Sequence, residues 1–444
     1  MMAKTRRDFI KTAALAGATV AIRPVPVFTN GLPSRRVNVA VMGVRSRGLV
    51  LAENFAQQSE TEVSYVCDVQ RDYQQHCIAA IAKLQKRPPK GEKDIRKILE
   101  DKDVDAIVIA APDHWHAPAA IMGVKAGKHV FLEKPCSHNP HEGELLVEAE
   151  RKYKHLIQMG NQRRSWPNVV RAMEALRGGI IGRVNFAKCW YANNRGPIGF
   201  GKQVPVPEGL DWELWQGPAP RTPYRDNIHP YNWHWFWHWG TGEALNNGTH
   251  EIDVARWGMG VDYPATVSAS GGRYHFRDDW EFPDTLVINF DFEDGRTITW
   301  EGRSCNAHPI EGDGRGNIFY GEKGTMVVTD NGYKVYNNEI PVKLVEEVGH
   351  NSSASGGSTN TASPAADLDG IHIKNFLDAI RTGNPVSSPI AEGHKSVLMC
   401  QLGNIAWKTG RTLHIDQRNG HIIGDRDAMR LWRREYEPGW EPAV

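Results

Sequence analysis

The residue types best placed to do chemistry in this chain are a lysine and a histidine. Lys134 ends the apolar run Val130-Phe131-Leu132-Glu133-Lys134-Pro135, and His250 sits in Leu245-Asn246-Asn247-Gly248-Thr249-His250. The run Ala106-Ile107-Val108-Ile109-Ala110-Ala111 reads as a neighbouring strand buried on both faces, and Pro112, Asp113, His114, Trp115 and His116 follow it. Two buried parallel strands that end in polar residues predict a nucleotide cleft at the carboxyl edge of an open sheet, with an amine at its mouth. Pro135 disfavours the helical region for Lys134, so the amine is presented in a defined direction. A histidine near its ordinary pKa can take a proton at neutral pH. An ammonium can orient a hydroxyl and make it more acidic.

These groups need elements to hold them. Val37 to Met42 predicts a strand, Gly43-Val44-Arg45-Ser46-Arg47-Gly48 a turn, Leu49 to Gln58 a helix, and Thr61 to Cys67 a second strand ending in Asp68. Asp68 lies 20 positions beyond Gly48, the spacing of a carboxylate that binds ribose hydroxyls. Gly43 and Gly48 take the first and third glycine positions of a dinucleotide fingerprint, whereas Arg45 replaces the middle glycine. A guanidinium there suits phosphate. Asp68 favours NAD by repelling a 2′-phosphate; Arg45 and Arg71 offset that repulsion and leave NADP open.

With the Glu-Lys-Pro lysine, the preceding Pro-Asp-His-Trp-His and these spacings, the chain resembles the Gfo/Idh/MocA family of nicotinamide-dependent sugar and polyol oxidoreductases from about Arg36 to the final helical region. The resemblance implies that Lys134 lies beside the nicotinamide and the reacting hydroxyl. It also implies a cofactor site built from Gly43, Val44, Arg45, Gly48, Asp68, Arg71, Pro112, Asp113, His116, Glu133 and Lys134. Hydride transfer then needs a base, and His250 is the candidate, with Asp253 three residues on to orient it or to bind substrate. The family pattern is Asp-x-Gly-x-His, but Asn246 stands where the aspartate belongs. An amide holds a hydroxyl and cannot take its proton, so base chemistry falls on His250 or Lys134. Gln162 and Arg164 match the substrate-facing region after the Rossmann unit.

The segment from His229 to Trp239 holds four tryptophans and three histidines. Flat rings stack on the C–H face of a sugar and imidazoles supply hydrogen bonds, so Trp235 and His238 are expected at the substrate with Tyr191 and the stretch Asn193 to Arg195. The alternative for each ring is packing beneath the site. His234 and His238 have no acidic third ligand nearby in sequence, and no metal is expected.

The fold class expected is α/β. It comprises an N-terminal Rossmann doubly wound parallel sheet over 34–155 and an α+β domain with an open, largely antiparallel sheet over 156–410. A tail over 411–444 follows. The resemblance implies a homo-oligomer through that second sheet. With 53 basic and 52 acidic residues, no global field favours nucleic acid. Six cysteines without metal or disulfide spacing predict free, buried thiols. His350 to Pro364 reads as a polar loop.

Residues 1–33 read as a twin-arginine signal, Thr5-Arg6-Arg7-Asp8-Phe9-Ile10-Lys11 before a mild apolar run that is too short to span a membrane. A periplasmic location is therefore expected, with no stable membrane insertion. The cell envelope supplies no nicotinamide pool, so the cofactor must travel tightly bound and be restored on the protein. The leading expectation is an exported enzyme that transfers hydride between a secondary hydroxyl of a sugar or glycoside and tightly bound NAD(P). The alternatives are a redox-neutral glycoside hydrolase using transient C3 oxidation, and a catalytically silent sugar-binding protein that retains the nucleotide.

Overall fold

A computed structural model describes residues 36–330, 332–338, 343–348 and 366–444. The twin-arginine segment and the polar stretch 350–364 lie outside the described residues. Five short runs rich in β-branched and other apolar residues, with one polar edge strand, form a parallel sheet: β1 (Val37–Met42), β2 (Thr61–Cys67), the edge strand β3 (Lys90–Glu92), β4 (Ala106–Ile109), β5 (His129–Leu132) and β6 (Ile157–Met159). Their order across the sheet is β3-β2-β1-β4-β5-β6, the Rossmann arrangement. β4 and the last three residues of β5 are buried, as strands covered on both faces must be. The order reverses between β1 and β4, which opens a crevice at their carboxyl ends.

The chain then builds a nine-stranded sheet from β7 (Val184–Ala192), β8 (Thr266–Gly272), β9 (Thr285–Asp291), β10 (Thr297–Arg303), β11 (Arg315–Gly321), β12 (Gly324–Thr329), β13 (Gly332–Asn337), β14 (Lys343–Val348) and β15 (Leu413–His414). Only the β10–β7 pair is parallel; the rest are antiparallel, as expected for the second half. Inward residues such as Ala187, Ile288, Ile298 and Phe319 share one core with Ile252 and Leu398, from the helices Gly248–Met259 and Ile390–Thr409. That core is continuous with one face of the Rossmann sheet, through residues such as Ile107 and Leu132.

Two long-range features were not predicted. The helix Ala366–Thr382 returns to the Rossmann sheet and buries Ile373, Phe376 and Leu377 against Phe55, Phe131 and Val108 on its other face. The last residues act as a strap. β15 pairs with β8, and Arg434 donates to Glu142 at 2.8 Å and to the His114 carbonyl at 2.6 Å. All six cysteines are free and buried. No helix among the described residues is long and apolar enough to cross a membrane, and no group of three or more metal-ligating side chains occurs among them.

Candidate active site

A single cleft runs along the carboxyl edge of the Rossmann sheet. Gly43 turns the chain out of β1 with φ +80°, and a Cβ there would lie 2.6 Å from the Ala111 main chain. Gly48 packs against the same turn, where a Cβ would meet the Gly43 carbonyl at 1.8 Å. Only glycine allows this closeness, and a dinucleotide fits where a backbone approaches so tightly. Asp68 closes the next strand, its carboxylate accepting from the Val44 N–H at 2.7 Å and the Gln70 N–H at 2.8 Å. Burial pushes its pKa up to about 6, against the pull of those main-chain donors. Arg45, Pro112, Asp113, His116 and Glu133 line the remaining wall. These residues fit NAD: a glycine cradle for the pyrophosphate, an arginine beside it and a carboxylate at the ribose end.

Further along the cleft the polar groups gather around Lys134. Its Nζ donates to the Asn246 carbonyl at 2.6 Å and to Asn246 Oδ1 at 3.2 Å. Burial lowers the Lys134 pKa, although Glu133 and Asp113 oppose the shift. Glu133 itself is held by Arg47 at 2.7 Å, and Arg47 also pairs with Asp369 from the returning helix. His116 lies between two main-chain carbonyls, those of Pro135 at 2.6 Å and Ala111 at 2.7 Å, and so pins the turn that carries Lys134. His250 lines the same cleft with its Nδ1 unpartnered. Burial holds it far below its ordinary pKa, and the nearby charges of Lys134 and Arg315 add to the shift, so it is neutral. Gln162 and Tyr191 also face the cleft, and Gln162 Oε1 makes no hydrogen bond.

Several expected contacts are corrected. Arg164 and Asp253 do not face the cleft: they form a bidentate pair at 2.8 Å and 2.8 Å, their side chains 8% and 1% exposed, and Ser396 donates to Asp253 at 2.6 Å. Asp253 therefore does not orient His250. Trp235 is buried against Trp280, with ring centroids 3.9 Å apart, and His238 is tied to the Pro220 carbonyl at 2.8 Å; both pack behind the site. Arg71 reaches Glu208 at the surface and not the phosphate groove. Val44 contributes a main-chain N–H to Asp68, while its side chain is core.

In their place the aromatic segment sends other residues into the cleft: His229, Tyr231, Trp233 and His234. Trp212, Trp215, Trp233 and Trp239 form a separate apolar cluster. From that cluster a strip of chain is stitched across the ribose end of the Rossmann sheet. The Arg71 N–H donates to Gly209 at 3.0 Å, the Asp211 N–H to Val69 at 2.9 Å, and Lys93 pairs with Asp211 at 2.6 Å. Leu214 and Trp215 then line the cleft, as Asp68 does. Arg195, expected at the pocket, lines it while donating to Glu243 at 2.7 Å and to the Tyr231 hydroxyl at 3.0 Å. Arg315 and Asn247 also line it and were missed. Arg315 is an ordinary sheet residue by pattern, and no local signal separates it from Arg303 or Arg296.

The chain matches two family descriptions, "Oxidoreductase family, NAD-binding Rossmann fold" over residues 37–161 and "Oxidoreductase family, C-terminal alpha/beta domain" over 216–415. A glycosyl hydrolase family 109 protein of Stenotrophomonas maltophilia is 23% identical over 87% of this chain and 89% of its own length. An alpha-N-acetylgalactosaminidase of Shewanella oneidensis is 29% identical over 35% of each chain. With several such curated relatives the match thus spans half of their length or less. Among solved structures, a levoglucosan dehydrogenase in complex with NADH and levoglucosan superposes with a TM-score of 0.65 at 19% identity, covering 86% of this chain and all of the other. The scyllo-inositol dehydrogenase of Lactobacillus casei superposes with a TM-score of 0.62 at 17% identity, over 86% of this chain and 99% of that one. The Rossmann order, the glycine cradle, Asp68 and the two family matches agree: the chain belongs to the Gfo/Idh/MocA oxidoreductase family and carries its NAD-binding domain.

Proposed function

We propose that this protein oxidises a secondary hydroxyl of a sugar or glycoside with an NAD that stays bound and is restored by reducing a second carbonyl compound. The observation that carries the reading is a half-buried ammonium and a neutral, unpartnered imidazole lining the same cleft as the nucleotide cradle. When bound, NAD supplies the hydride acceptor. Lys134, anchored by Asn246, donates to the substrate hydroxyl and favours its ionisation. His250 takes the hydroxyl proton. With Lys134 and Arg315 close by, imidazolium is costly, so His250 gives the proton back readily. Gln162, Tyr191 and Tyr231 offer hydrogen bonds to the remaining hydroxyls.

A second reading is redox-neutral cleavage of a glycoside. Oxidation at C3 acidifies the C2 proton, its removal expels the substituent at C1, water adds, and the hydride returns to C3. One observation favours it: the glycosyl hydrolase names of the curated relatives. A twin-arginine export route to the periplasm and assembly through the outer face of the nine-stranded sheet belong to the same proposal.

Protein purified without added nucleotide, then denatured, should release nicotinamide dinucleotide in near-stoichiometric amount. Glycosides are then screened by the absorbance of the bound reduced nicotinamide and by sugar release. On an accepted substrate, Lys134→Ala and His250→Ala should each cost about 10²–10⁴ in kcat. Near-full activity in both variants would sink the assignment. Sugar release with no net change in cofactor redox state selects the second reading.

A further inference from the structure

We propose that Glu243 is a positioning residue of this site, setting the orientation of Asn246 so that both its oxygens hold Lys134. Glu243 is 3% exposed and sits behind the cleft wall, one helical turn before Asn246 on Gly242–Asn246. Its Oε1 accepts from Asn246 Nδ2 at 3.3 Å, which leaves Asn246 Oδ1 aimed at Lys134. The same oxygen accepts from Asn247 Nδ2, and Asn247 Oδ1 in turn receives Arg315 Nη2 at 2.8 Å. Glu243 Oε2 binds Arg195 at 2.7 Å and the Ser304 hydroxyl at 3.3 Å. One buried carboxylate thereby orients three cleft-lining groups. An aspartate at 246 would bring its charge to the lysine directly. Here the carboxylate stands at 243, and the Asn246 amide relays its orientation.

The inference rests on the proposed role of Lys134, so its test uses a readout that needs no substrate. Lys134 faces Glu133, Asp113, Arg315, Arg47, His234 and His250; with only a neutral acceptor at 243, Asn246 Oδ1 is held less firmly toward the ammonium. In the NAD-loaded full chain, the rate at which acetic anhydride labels Lys134 is followed against pH by mass spectrometry. Glu243→Gln should raise the labelling rate at neutral pH by about threefold or more, as Asn246 loosens its hold on the ammonium. Glu243→Gln/Asn246→Asp should return it toward the parent, because a carboxylate then touches Lys134 itself. On an accepted glycoside, Glu243→Gln should lower kcat more than it changes KM, with a shifted pH profile. Unchanged labelling in folded Glu243→Gln, or a double variant no nearer the parent than the single one, overturns the proposal. Should Glu243→Gln fail to fold because Arg195 loses its partner, Glu243→Gln/Arg195→Gln removes both charges and faces the same labelling criterion.

Discussion

Replacing Asp253 with alanine separates a structural role from a substrate role at a residue that sequence alone assigns to the substrate. In the fold, Asp253 is 1% exposed, accepts two hydrogen bonds from the guanidinium of Arg164 and one from the Ser396 hydroxyl, and faces away from the cleft. Alanine strands a cation that is 8% exposed. Breaking a buried pair from one side costs about 3–5 kcal/mol, and the orphaned hydroxyl adds about 1 kcal/mol. At roughly 2–4 °C per kcal/mol, the melting temperature should fall by about 8–24 °C. Arg164→Met/Asp253→Leu should recover most of that loss, since the two charges leave together. Burial raises the Asp253 carboxyl, but Arg164 and Ser396 hold it below the ordinary range. The stabilisation is thus complete above the ordinary carboxylate pKa and disappears as pH falls through the folded value. Thermal melts of the three proteins, with nucleotide content measured on each, decide the matter. An Asp253→Ala protein that melts within about 2 °C of the parent yet no longer binds sugar would refute the argument and put Asp253 on the substrate.

Gly43→Ala should abolish nucleotide retention, because its Cβ would press on the Ala111 main chain at 2.6 Å and at a φ of +80°; nucleotide released on denaturation measures it. Asp68 is raised to about 6 in the folded protein, so between its ordinary 3.8 and about 6 it is protonated and loses the charge that strengthens its hydrogen bonds from ribose hydroxyls. NAD affinity of nucleotide-stripped protein, read by calorimetry, should fall by up to about tenfold per pH unit below 6, and Asp68→Asn should remove that dependence. Burial holds His372 and His394 at about 4 against an ordinary 6.5. The unfolded chain therefore binds more protons in that window, and stability should drop as pH falls from 6.5 to 4, by up to about 3 kcal/mol per histidine. Denaturant unfolding at pH 7 and pH 5 checks the sign, and His372→Gln should flatten the slope.

The glycine turn, Asp68 and the Glu-Lys-Pro lysine were legible because a Rossmann unit places ligand groups at strand ends, and strand ends are marked locally by where apolar runs stop. The same locality failed for Asp253 and Arg164, 89 positions apart in the chain. Nothing near either one announces that the other will neutralise it. It failed again in the aromatic segment, where periodicity cannot tell which rings enter the satellite core and which reach the cleft. Trp235 went to Trp280, His234 went to the cleft, and Trp233 belongs to the satellite core while edging the cleft. The amino-acid sequence by itself determined the Rossmann half, its NAD-binding character and the places of Lys134 and His250 on the cleft, because each follows from short-range pattern. Only the tertiary structure decided what holds them. Glu243 behind Asn246, the strip stitched over the ribose end and the helix returning to the first sheet all join residues far apart in the chain, and which charges meet which is set by packing.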